Sequence, residues 1–159
     1  MLPSKASLIE IDPKEVLKET LDQLPIYLSF KMEDAIKEVI IKKQEFFLPT
    51  AIGKWWDRRG EEIDIVSVEP KSSKILFTEV KWSKKQLRWK VVEELRRKSQ
   101  LVQWRLNRRK EHFLIVSKSG YTSNCLAKMN AEGIFHWDLN DLKDMILGQE
   151  PDSELSETG

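Results

Sequence analysis

The 159-residue sequence predicts a mixed α/β fold, a central sheet flanked by helices with core elements in the order αβββαβ. Three observations carry that expectation. Two helical stripes of apolar residues, over about 27–43 and 84–107, bracket a region rich in aromatic and β-branched residues and punctuated by turns. Within it, 74–82 is apolar on both faces, as a central strand is. Beyond the second stripe, Phe113-Leu114-Ile115-Val116 suits a buried strand. Reached by a helical crossover, that strand runs parallel to 74–82.

Each element has a local cause. Asp12-Pro13 caps and opens a short helix over 13–24, and Pro25 interrupts. Leu28, Met32, Ala35, Ile36, Val39 and Ile40 form the stripe of the next helix, with Glu33 and Asp34 at its edge. Phe46 to Trp56 reads as a strand closed by the turn Asp57-Arg58-Arg59-Gly60. The following strand holds Asp64, and Glu69-Pro70-Lys71-Ser72-Ser73-Lys74 turns the chain into 74–82. Leu87, Val91, Leu95, Val102 and Leu106 then lie on one stripe of a long helix that includes Lys98. After a strand over 112–117 come a helix over 122–132 ended by Gly133, a strand over 134–137, and a helix over 138–147 ended by Gly148. Length and 40% hydrophobic content predict one domain over 1–148, with its core at about 27–117. The acidic, polar tail 149–159 is expected to be disordered.

Composition excludes several classes. One cysteine, Cys125, forms neither an internal disulfide nor a cysteine zinc cluster. No apolar run approaches the roughly 20 residues that span a bilayer, and no secretion signal opens the chain, so a cytoplasmic protein without a membrane partner is expected. His112 and His136 lack the spacing of a zinc pair and read as structural. The net charge of +1 conceals sorting: from Lys81 to Lys110 twelve Lys or Arg face only Glu93 and Glu94, a local +10 that leaves −9 elsewhere. Such a block suits a partner made of phosphates, with Lys84, Lys85, Arg88, Arg96, Arg97 and Lys98 as candidate contacts and Trp82, Trp89 and Trp104 as candidate stacking surfaces. The alternative is a solvated helix face over core tryptophans.

Two phrases carry the chemistry, Glu62-Ile63-Asp64-Ile65-Val66 and Phe77-Thr78-Glu79-Val80-Lys81. Strand alternation places Glu79 and Lys81 on one face and Val80 on the other, and sets Asp64 opposite its aliphatic neighbours Ile63 and Ile65. A hairpin then brings two acids and a lysine together. Hard carboxylate oxygens suit Mg²⁺ or Mn²⁺, which assist phosphodiester hydrolysis.

An acid on the first helix, Asp on the second strand and Glu-x-Lys on the third resemble the PD-(D/E)XK nuclease superfamily over about 27–117. More narrowly, Ile52-Gly53-Lys54-Trp55-Trp56, Glu61-Glu62-Ile63-Asp64-Ile65-Val66 and Ile75-Leu76-Phe77-Thr78-Glu79-Val80-Lys81-Trp82 look like the uncharacterised C-terminal domain of archaeal AAA-type ATPases. The resemblance implies a restriction-endonuclease-like fold and a metal-dependent deoxyribonuclease. Asp64, Glu79 and the Val80 carbonyl would hold the metal, Lys81 would orient the water or stabilise the transition state, and Glu33 would be the helix acid. Glu33 is preferred to Asp34 because the family pattern sets its acid after a large apolar residue, here Met32. Lys98 and Gln103 are weaker candidates for an auxiliary position on the next helix. The chain has no G-x-x-x-x-G-K-[ST] loop, so the resemblance makes it an excised domain or a stand-alone relative of proteins whose ATPase part lies elsewhere. It also implies DNA as partner, a homodimer and, as the alternative function, a non-catalytic DNA-binding or regulatory module of an ATPase.

Overall fold

The computed structural model describes residues 29–43 and 45–148. The expected helix over 13–24, the start of the helix at 27 and the tail 149–159 lie outside the described residues. The elements are α1 (Ser29–Lys43), β1 (Ala51–Trp56), β2 (Glu62–Glu69), β3 (Lys74–Lys81), α2 (Lys90–Ser99), β4 (Lys110–Ser117), α3 (Ser123–Glu132), β5 (Phe135–Asp138) and α4 (Leu139–Leu147). They contain the expected αβββαβ order, followed by one further helix, strand and helix.

The five strands form one sheet in the order β1-β2-β3-β4-β5, antiparallel through β3 and parallel from β3 to β5. β3 is central, as its two apolar faces require. One face carries Ile65, Leu76, Leu114 and Val116 against Met32, Ile36, Val39 and Ile40 of α1 and Leu142 of α4. The opposite face carries Ile75, Phe77 and Ile115 against Val92 and Leu95 of α2 and Cys125 and Met129 of α3. The helices of both parallel crossovers thus cover the same face, as two right-handed connections running in one direction across a sheet must.

Turn chemistry sets the hairpins. Asp57 Oδ1 accepts the N–H groups of Arg59 at 2.9 Å and Glu61 at 3.0 Å, and Gly60 adopts φ 87°, so the β1–β2 turn is an Asp-capped loop closed by glycine. Glu69 accepts from Lys71 and Ser72 in the β2–β3 turn. Thr122 caps α3 through Cys125 N–H, and Gly133 ends it at φ 70°. Asp138 and Asp141 form a reciprocal capping box at α4.

Two elements are shorter than the sequence predicts. The strand expected from Phe46 begins at Ala51, because Phe46 and Phe47 turn into the core around His112 and Pro49 has no N–H for a ladder. The helix expected over 84–107 spans only Lys90–Ser99. Leu87 is extended and bridges to Tyr121, and Arg105 and Asn107 take φ of 46° and 70°, which no α-helix tolerates. Leu87 and Leu106 therefore share the stripe's spacing without sharing the helix.

The loop after α2 is held by Arg109, whose side chain is 1% exposed. Its guanidinium donates to the carbonyls of Val102 and Trp104 at 2.7 Å and Ser99 at 2.8 Å, pairs with Glu111 at 2.9 Å and lies over the Phe77 ring. Five donors in a rigid fork make this possible, and lysine cannot copy it. Arg109→Met leaves three carbonyls and Glu111 without their donor, and is expected to lower stability by about 3 kcal/mol in urea denaturation. Arg109→Lys is expected to recover less than half of that.

Candidate active site

The β2–β3 ladder runs from Glu69–Lys74 to Ile65–Thr78, and immediately beyond its end stand Asp64 and Glu79. Here the chain departs from simple alternation. Against β1 the partners change from Gly53–Val66 to Trp55–Ile63, so three steps of β2 oppose two of β1. This is a β-bulge. As a result Ile63 and Ile65, two residues apart, pack in different cores on opposite faces of the sheet. The expectation that Asp64 projects opposite to both is thereby corrected: Ile65 anchors one face and Ile63 the other. Asp64 Oδ2 accepts the Val80 N–H at 2.8 Å, so the carboxylate takes a main-chain donor at the point where the β2–β3 ladder stops.

Glu79 is 4% exposed. Its Oε1 lies 3.3 Å from Lys81 Nζ and 3.5 Å from Lys98 Nζ, while its Oε2 is buried with no hydrogen-bond partner among the described residues. Burial pushes the Glu79 carboxyl above the usual carboxylate range and the charge of Asp64 adds to the effect; the two lysines oppose it. Glu33 is also raised, first by burial and then by Asp64, with Lys54 of β1 at 3.8 Å opposing. α1 thus delivers Glu33 within electrostatic reach of Asp64. Its neighbour Asp34 is 77% exposed and pairs with Lys37, which separates two acids that the sequence leaves adjacent.

The structure brings together Glu33, Asp64, Glu79, Lys81 and Lys98, and adds Lys54, to which no role was assigned. Its signal was present in the phrase Ile52-Gly53-Lys54-Trp55-Trp56, but only the pairing of β1 with β2 sets it by the acids. Gln103 is not brought in: it is exposed in the turns after α2, not on a helix. Among the described residues no group of three or more Asp, Glu, His or Cys side chains is arranged to hold a metal. Asp64 and Glu79 are two carboxylates, and Mg²⁺ commonly takes only one or two, keeping water in its other positions.

The basic segment divides by partner. Arg97 is bidentate to Glu61 at 2.9 Å and pairs with Glu94, and Arg96 pairs with Glu132 at 3.0 Å and lies over Trp89. Lys98 faces Glu79. Arg105 holds the Pro70 carbonyl and Ser73. The exposed remainder nearest the acids is Lys84, Lys85, Arg88 and Lys90. Trp82, Trp89 and Trp104 pack against the two cores, and Trp82 Nε1 is buried, so the strong stacking surfaces expected of them are largely covered.

A family model described as archaeal and bacterial proteins of unknown function matches residues 1–98. The chain belongs to this family, DUF234. The matched segment includes Glu33, Asp64, Glu79, Lys81 and Lys98. An uncharacterised protein of Methanocaldococcus jannaschii is 38% identical over 98 residues, 58% of this chain and 22% of that protein. The chain therefore spans less than a quarter of that relative. Among solved structures, a repair endonuclease from Pyrococcus abyssi is similar at a TM-score of 0.44 and 16% identity, over 67% of this chain and 46% of that one. The MspJI restriction endonuclease in complex with a 27-mer oligonucleotide is similar at 0.46 and 11%, over 94% and 34%. Likenesses of this size carry no functional argument. No described helix is long and apolar enough to cross a membrane.

The raised carboxyls fix the sign of a pH effect. A folded-state pKa above the unfolded one adds stability below the unfolded value and loses it as pH rises through the folded value. Ionisation of Glu79 as pH rises therefore costs stability. In EDTA, Glu79→Gln is expected to raise the melting temperature at neutral pH, with the gain shrinking towards zero as the carboxyl protonates on acidification; a Tm series over pH checks this.

Proposed function

We propose that this DUF234 domain is a metal-dependent deoxyribonuclease. The observation that carries the reading is the buried Glu79, one oxygen without a partner and its charge opposed by Asp64, beside two lysines. A buried acid pair lacking full compensation is costly as a scaffold and well suited to a divalent cation. Asp64, Glu79 and the Val80 carbonyl are the donors that would hold Mg²⁺ or Mn²⁺. When bound, the ion would neutralise charge on the phosphoryl group and lower the pKa of the attacking water.

The protein side chains have separate tasks. The Val80 N–H fixes Asp64, and burial against α2 fixes Glu79, so neither acid must be ordered on binding. Lys81 is 46% exposed while touching Glu79, and so extends from the acid to a phosphate oxygen or a water at the surface. Glu33, the helix acid, has its carboxyl pushed up by burial and by Asp64, which suits it to hold a proton or a water beside the acids. Lys84, Lys85 and Arg88 present cations to the DNA backbone. Arg96 and Arg97, already paired, contribute less than their position in the basic segment implies. An ATPase partner and a homodimer are part of the proposal from resemblance.

Pure protein incubated with labelled single-stranded and duplex DNA in Mg²⁺ or Mn²⁺ is expected to cleave, and Asp64→Ala or Glu79→Ala to lower the rate by at least about 100-fold. Absence of cleavage with every substrate overturns the enzyme and leaves the binding-module alternative. Binding itself divides the cations. Neutralising Lys84, Lys85 and Arg88 together is expected to reduce the salt slope of affinity by about 2, whereas Arg97→Ala changes it by less than one contact's worth, about 0.7 to 0.9.

A further inference from the structure

Beside the acids lies a cleft of about 350 Å³ between the end of β3, the segment 83–89 and α2. Its walls are Leu87, Val91 and Leu95, and Glu79 and Lys98 also line it. Lys85, Arg88 and Lys90 line it too and are exposed to solvent. Ser83, Gln86 and Glu94 complete the lining. An aliphatic slot with cations in excess at its rim, opening onto a phosphoryl-transfer site, fits a molecule with a flat apolar body and an anionic edge.

The wall is built rather than incidental. Leu87 N–H donates to the Gly120 carbonyl and Thr122 N–H to the Leu87 carbonyl, both at 3.0 Å. Ser119 Oγ donates to the Ser83 carbonyl at 2.6 Å, and Lys118 N–H to the Lys81 carbonyl at 3.1 Å. Segment 83–89 is thereby tied to the β4–α3 connection, and the slot exists before anything enters it. Preformed sites avoid the entropy of ordering a loop on binding.

We propose that this cleft receives one unpaired nucleobase next to the phosphodiester at the acids, so that the substrate is single-stranded DNA or DNA with an unpaired nucleotide at that step. The proposal rests on the nuclease reading and names its substrate class. A sugar-phosphate backbone would lose hydration against Leu87, Val91 and Leu95 without recovering hydrogen bonds. A base face loses none, and Arg88 offers a guanidinium plane for stacking at the mouth. In a duplex the base stays within the stack and cannot reach the slot. The aliphatic walls Leu87 and Val91 carry no hydrogen-bonding group and so meet the face of any base alike.

The test uses the full chain and oligonucleotides of about 15 nucleotides carrying 2-aminopurine, as single strand and as matched duplex, in Ca²⁺ so that affinity is read without turnover. Single strand is expected to bind at least about tenfold tighter, with a fluorescence change at the one position that enters the slot. Val91→Phe, which fills the slot, is expected to remove both the advantage and the fluorescence change. Should circular dichroism show that Val91→Phe does not fold, Arg88→Ala, at an exposed position, must diminish the same signal. Equal affinity for both DNAs, a signal that survives these variants, or displacement of the single strand by polyglutamate at equal charge overturns the proposal. Cleavage without strand preference rejects the slot alone. A strand preference sensitive to Val91→Phe, with no cleavage in Mg²⁺ or Mn²⁺, rejects the nuclease reading alone.

Discussion

The hydrogen bond from Val80 N–H to Asp64 Oδ2 is the constraint on which the rest depends. A main-chain donor of β3 is satisfied by a side chain of β2, so the strands stop exchanging backbone bonds one step before the acids and the two carboxylates share the end of the ladder. A hydrogen bond to an ionised acceptor of this kind contributes about 1.5–3 kcal/mol. The bulge against β1 accompanies it and delivers Ile63 to the α2 side of the sheet, where Val92 and Leu95 dock. Lys98 lies one helical turn beyond Leu95 and so meets Glu79. Remove the bulge and the register of β2 carries Asp64, Ile63 and the seat of α2 away together.

Electrostatics follow from that geometry. In that partly buried corner burial raises Glu33 and Glu79 and the charge of Asp64 adds to both, and the fold answers with lysines from three elements, Lys54, Lys81 and Lys98. Elsewhere the cations are architectural. Arg109 gathers the carbonyls beyond α2, Arg105 ties the loop to the β2–β3 turn, and Arg96 and Arg97 join α2 to its neighbours. What is left for an anionic partner is concentrated at 84–90. A segment charge of +10 therefore overstates the field available to an anionic partner, because arginine is as useful for satisfying backbone oxygen as for meeting phosphate.

Much of this was legible in the sequence. The sheet order, the parallel step from β3 to β4 and the proximity of Asp64, Glu79 and Lys81 follow from period-two patterns, turn residues and the length of the connections. Glu33 was separable from Asp34 only by family pattern; in the fold Glu33 lies near Lys54 and Asp34 faces solvent. The bulge was not legible: alternation treats Ile63-Asp64-Ile65 as regular, and an inserted residue becomes visible only against its partner strand. The shortened α2 was not legible either. Leu87 and Leu106 satisfy a 3.6-residue period, yet tertiary hydrogen bonds to Gly120 and left-handed backbone at Arg105 and Asn107 override it. Arg109 was not singled out for the same reason, since its partners are carbonyls that no side-chain pattern records.

The ties between 83–89 and 117–122 have a consequence for how the molecule opens. The acids stand on β2 and β3, strands joined by a local hairpin, whereas the slot beside them is closed by residues more than thirty positions further along the chain. β3, which carries Glu79, is laddered along its whole length to β4, so opening of the C-terminal half of the sheet would release the wall and loosen the acid together. The amide protons of Leu87 and Thr122 should therefore exchange together, on a clock set by that half of the sheet.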